Sequence, residues 1–180
     1  MANSNNCVNY NCTSLGTRLP AECGVFLKGG ISDFILLNCD HEITDPSDDI
    51  QIQAELDAGR ATLVSGVRIG LDAPSANTID SLIACAPDPV LNYDRTATIV
   101  DGSVCENIDF LNDLSDGRLF GGIIFRLCDE CKVLWVDAAV SFAGGVIVPD
   151  NNTEAVRYEG TVSWKDTRNP KFYTEPIGIF

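Results

Sequence analysis

Histidine occurs once in this chain, at His41, and its twelve lysines and arginines never stand side by side. The first shortage means that a catalytic triad or an imidazole metal site would have to be built on His41. That residue lies in an acidic loop, DHEITDPSDD, and is expected to be an ordinary surface residue. The second shortage removes the clustered cations with which proteins displace counterions from nucleic acid. Against 26 Asp and Glu the net charge is −14, a balance that repels phosphate. No apolar run approaches the roughly 18 residues needed to cross a bilayer, so membrane insertion is not expected. The opening stretch MANSNNCVNYNCTS has neither a charged nor an apolar region of the secretory kind, and cytoplasmic synthesis is the expectation. Nucleotide, metalloprotease and nucleophile-elbow patterns are missing too, so no catalytic residue, cofactor or metal ligand is assigned.

Cysteine, by contrast, is plentiful: Cys7, Cys12, Cys23, Cys39, Cys85, Cys105, Cys128 and Cys131. Without a visible export signal they read first as reduced small hydrophobes with a few exposed thiols. Extracellular disulfides and zinc are the alternatives. The one C-x-x-C, Cys128-Asp129-Glu130-Cys131, falls between two predicted strands rather than at a helix start. Its acidic neighbours would raise a thiol pKa, which is wrong for a nucleophile, and a zinc ribbon would need a second pair. Asp45, Asp48 and Asp49 lack calcium-loop spacing and read as a solvated loop leading into a helix.

Apolar residues make up 45% of 180 residues, enough for one domain with a real core. Residues 1–22 read as an N-terminal arm, 23–168 as a mainly β domain and 169–180 as an apolar C-terminal segment. Strands are predicted over 33–38, over ATLVSGVRIGL (61–71) with Gly66 as a bulge, and over 92–102. FGGIIFRL, KVLWVDAAVSF and VRYEGTVSW follow as consecutive antiparallel strands, with DAPSANTID as a turn. A short helix is expected over about 48–58, capped by Ser47 and stopped by Gly59. A second is expected over 103–115, with a Ser103/Glu106 capping box, an apolar face of Val104, Ile108, Phe110, Leu111 and Leu114, and Gly117 at its end. The fold class is therefore mainly β, an antiparallel β-sandwich with one or two short helices.

Three stretches, GGISDFILLNCDHEITD, VSGVRIGLDAPS and VRYEGTVSWKDTRNPKFYTEPIGIF, resemble virion structural proteins of tailed bacteriophages. The nearest resemblance is to small tail-tube or tail-tube-like ring proteins of phages of Bacteroidetes-type hosts. That resemblance implies a subunit made in the host cytoplasm whose sheets join edge to edge into a ring of six around an inner barrel. Rings would stack and meet other tail or neck proteins, and DNA would pass through without being gripped. Phe172, Tyr173, Ile177, Ile179 and Phe180 are the residues expected to make contacts between subunits. Two other readings stand beside it: a non-viral extracellular filament or adhesin subunit with disulfide-bonded cysteines, and a thiol- or metal-dependent enzyme built on Cys128 and Cys131.

Overall fold

Residues Ile31–Leu37 form strand β1, ISDFILL, and every side chain from Asp33 to Leu37 is buried. A strand apolar on both faces belongs in the middle of a sheet covered on both sides. The computed structural model describes residues 31–79, 90–127, 132–151, 153–167 and 171–180. The predicted arm 1–22, most of SLIACAPDPVL and the Cys128/Cys131 pair lie outside the described residues. After β1 come α1 (Asp49–Asp57), β2 (Ala61–Leu71), β3 (Ser75–Thr78), β4 (Val90–Asp101) and α2 (Val104–Leu114). The chain continues through β5 (Leu119–Phe120), β6 (Gly122–Leu127), β7 (Lys132–Val136), β8 (Val140–Ile147), β9 (Arg157–Asp166) and β10 (Lys171–Thr174).

All ten strands join one antiparallel sheet in the order β10-β7-β6-β1-β2-β4-β9-β8-β5, with β3 beside β4. The sheet curls over its main core, because residues far apart along that order touch. Phe34 on β1 stacks 6.3 Å from Phe142 on β8, and Phe125 on β6 sits 6.2 Å from Trp164 on β9. Phe34, Leu36, Val64, Ile99, Phe125 and Val162 are among the side chains that fill this core. A second, smaller core lies on the opposite face of β1, β6 and β7, where Ile35, Leu37, Ile124 and Val133 meet Ile52 of α1. The expected mainly β chain with two short helices is what is seen.

Two irregularities lie near β1. Register shifts between Ile31 and Asp33 on both its neighbours, β2 and β6. Gly66 opposite takes φ 73°, a conformation open to glycine and costly for other residues. This is the bulge expected from sequence, and it lets Val64 and Val67, three apart, both face the main core. The Gly66 N–H donates to Asp33 at 3.2 Å, which fixes the bulge.

Several local expectations are corrected. KVLWVDAAVSF is not one strand: Asp137 to Ala139 break it, and β7 and β8 sit in different halves of the sheet. Leu134, Val136, Ala138, Val140 and Phe142 keep one apolar face in step across the break, so sequence alone could not see it. Part of DAPSANTID is strand β3 rather than turn. Asp48, not Ser47, caps α1, accepting from the N–H groups of Ile50 and Gln51. The Ser103/Glu106 capping box does not form: Ser103 makes no side-chain cap bond, and its own N–H donates to Asp101 at 2.7 Å. Asn107 leaves helical geometry and donates to the Ser103 carbonyl at 3.0 Å. The resulting kink turns Ile108 outward and buries Asn107 in its place.

Helix α2 is tied to the sheet through Tyr158, whose hydroxyl hydrogen-bonds Ser115 just past the helix end. The Tyr158 ring has room only because Gly144 and Gly160 lie beneath it. A Cβ on Gly160 would meet the ring at 2.7 Å, and one on Gly144 would meet the Gly160 Cα at 2.6 Å.

Candidate assembly surface

The C-terminal segment carries the residues singled out for contact between subunits, and the structure divides them. β10 pairs with β7, placing Tyr173 edge-on to Trp135 at 5.9 Å. Ile179 is buried in the second core, and Phe180 packs against the same cluster. Tyr173, Ile179 and Phe180 are therefore packed by their own chain, Ile179 buried and the other two half-buried. The physical reason is that β1, β6 and β7 leave an apolar back face that the segment is long enough to reach. Phe172, 63% exposed, and Ile177, 87% exposed, project from the surface.

Arg126 on β6 holds this segment down. Its guanidinium donates to Asp33 at 3.2 Å and to Glu175 at 3.0 Å, and lies 5.6 Å from the Phe180 ring centre. Burial works against its charge, but hydrogen bonds to Asp33 and Glu175 overcome that and hold it more firmly protonated than usual. Sequence reasoning missed this cluster. The only available signal was Asp33, a lone charge inside an otherwise apolar strand.

Beside the segment, Ile177 faces Ile50 of α1, itself 77% exposed, across an open groove of ≈ 440 Å³ with Asp49 and Asp57 nearby. On the other half of the sheet the back face carries Thr98, Ala143, Gly145 and Thr161 around an open depression of ≈ 390 Å³. Neither has the enclosed, convergent polar lining of a small-molecule site. Among the described residues no three metal-ligating side chains gather.

The margin of the sheet at β8 is open along most of its length among the described residues. β5 pairs only with Val140 and Ser141, so among the described residues Phe142–Ile147 have β9 on one side and no strand on the other. From Val140 to Val148 the sequence VSFAGGVIV contains no charge and no proline. Natural sheets use those residues to discourage pairing at an edge. Ala143 to Ile147 are exposed, and Val148 beyond them is 72% exposed.

No protein-family model, curated protein or solved structure matches this chain. Its own surfaces must therefore carry the functional reading. Among the described residues no helix is long and apolar enough to cross a membrane.

His41 packs close to Gly121, where an added Cβ would come within 2.9 Å of its ring. Burial lowers its pKa, although Asp137, Glu55 and Asp40 pull the other way. Glu55, which is buried, accepts two hydrogen bonds from Arg60 at 2.8 and 2.7 Å, and these hold its carboxyl below the usual value. Both groups thus have folded values below their unfolded ones, and both contribute stability that fades as pH falls. His41 should weaken the fold from about pH 6.5 downward and Glu55 from about pH 4.5 downward. Melting temperatures measured between pH 7 and 3 should fall in that order, and His41→Gln should flatten only the upper part. An unchanged upper part in that variant would contradict this assignment.

Cys105 is a free, exposed thiol, whereas Cys39 is disulfide-bonded. The second fact corrects the reading of Cys39 as a reduced hydrophobe.

Proposed function

We propose that this chain is a structural subunit that assembles with copies of itself and catalyses no reaction. The observation that carries the reading is the β8 edge: an uncharged, proline-free strand margin that, among the described residues, has no strand beside Phe142–Ile147 and that a neighbouring strand would cover. The projecting Phe172 and Ile177 add apolar area of the kind that anchors subunit contacts. Together with the phage resemblance, these features favour a virion tail tube or neck conduit of stacked rings, expected to hold six copies each. The charge of −14 suits such a duct, since DNA sliding through a negative passage is not gripped. Other tail or neck proteins would cap the stack.

Electron microscopy of the purified chain at high concentration should show stacked annuli. A protein that stays monomeric under those conditions would overturn the proposal.

A second reading is favoured by one observation, the disulfide at Cys39. An extracellular filament or adhesin subunit would use such bonds as staples in an oxidising compartment. Non-reducing mass spectrometry of freshly made protein separates the two, because paired cysteines at synthesis favour the filament. The thiol- or metal-enzyme reading rests on Cys128 and Cys131, outside the described residues, and stoichiometric zinc would be its sign.

A further inference from the structure

Among the described residues the β8 edge is open beyond Ser141, and the sheet carries a second open strand at its opposite end. β10 pairs with β7 along one side, and among the described residues its other side is open. Following the sheet from β10 through β7, β6, β1, β2, β4 and β9 to β8, every adjacent pair is antiparallel. The path has eight strands, an even number, so β10 and β8 run in opposite directions. A second copy turned about the strand direction, so that its core face continues that of the first, can therefore present its β8 antiparallel to β10. That is a head-to-tail contact, the kind that closes into rings.

Side chains fit the same arrangement. Phe172 lies opposite Leu134 on β7, and so points to the main-core face of the sheet. On β8 that face is occupied by Phe142, Gly144 and Val146, with Phe142 in the main core. Directly paired residues share a face, so Phe172 would lie opposite one of these three and cover apolar surface that is open in the single chain. Antiparallel pairing also sets Lys171, at the start of β10, near the end of the neighbour's β8. There Asp150 follows, and Glu154 and Glu159 both engage Arg157. A cation thus meets a locally acidic end. By contrast, a β8–β8 pair would leave Phe172 and Lys171 unused.

We propose that β10 of one copy pairs with β8 of the next, so that a single sheet runs through the assembled subunits. The proposal rests on the reading of the chain as self-assembling and names the two edges that meet. It is tested with the full chain and two surface variants, Val146→Lys on β8 and Phe172→Lys on β10. Both positions are exposed, and unchanged melting temperatures will confirm that each variant folds. Each alone should self-associate at least about tenfold more weakly than the parent, an effect of roughly 1.4 kcal/mol in association. Mixed together, they should form one-to-one dimers and stop, because each retains one intact edge. Hydrogen exchange of the assembled parent should show slowed amides in 142–147 and 171–174.

Pairing between two β8 edges predicts something different: the Phe172→Lys variant alone would form dimers at parental strength, which overturns the proposal. Assembly by the parent and both variants with fast exchange in 142–147 overturns it as well, while leaving self-assembly standing. A parent that never assembles overturns both readings together.

Discussion

Phe34→Ala is expected to lower the unfolding free energy by about 3–5 kcal/mol, read by urea titration with fluorescence or circular dichroism. Phe34 is fully buried and touches two rings at once, Phe125 at 6.4 Å and Phe142 at 6.3 Å. Phe125 belongs to the adjacent strand β6, so that contact would survive in a flat sheet. Phe142 lies on β8, four places away along the sheet from β1, and meets Phe34 only because the sheet curls. Removing the ring leaves a cavity between layers that cannot collapse without uncurling the backbone. Phe172→Ala deletes the same atoms at an exposed position and should change stability by no more than about 0.5 kcal/mol. If the two variants proved equally stable, the packing account of the curl would fail.

Arg126→Ala should cost about 2–3 kcal/mol and loosen the end of the chain. Removing one partner of a buried ion pair can cost more, but the Arg126 side chain is one-third exposed, so water relieves part of the loss. Asp33 would keep its bonds from Ser32 and from the Gly66 N–H, so the bulge should persist. Glu175 and Phe180 would lose their fixed cation. The expected signature is therefore local: faster amide exchange over 175–180 with the exchange of β2 nearly unchanged. Arg126→Lys should restore little, because an ammonium cannot present the planar fork that reaches both carboxylates. Exchange that rose equally across β2 and 175–180 would show that Arg126 supports the whole sheet rather than latching the terminus.

Much of the fold was legible in the chain because short-range rules decided it. The strand over 61–71 was read with its full extent, as was the Gly66 bulge, since alternation and a glycine in a strand are local signals. The place of α2 was legible from its apolar spacing, but its cap was not. Asp101 competes for the Ser103 N–H, and Asn107 bends the backbone, and neither choice shows in a four-residue motif. The edge at β8 escaped notice for another reason. Among the described residues its margin is open because β5 is only two residues long, and strand order is a property of pairings between distant residues.

The sequence by itself determined the chemistry available: strong negative charge, scarce cations, one imidazole, and apolar alternation sufficient for an antiparallel β domain with two short helices. Only the tertiary structure decided where the apolar terminus goes. Hydrophobicity is non-directional, so FYTEPIGIF suits its own chain's surface or a neighbour's equally well until the back face of β1, β6 and β7 is built. Once that face exists, Tyr173, Ile179 and Phe180 turn inward, and Phe172, Ile177 and, among the described residues, the Phe142–Ile147 edge of β8 stay open.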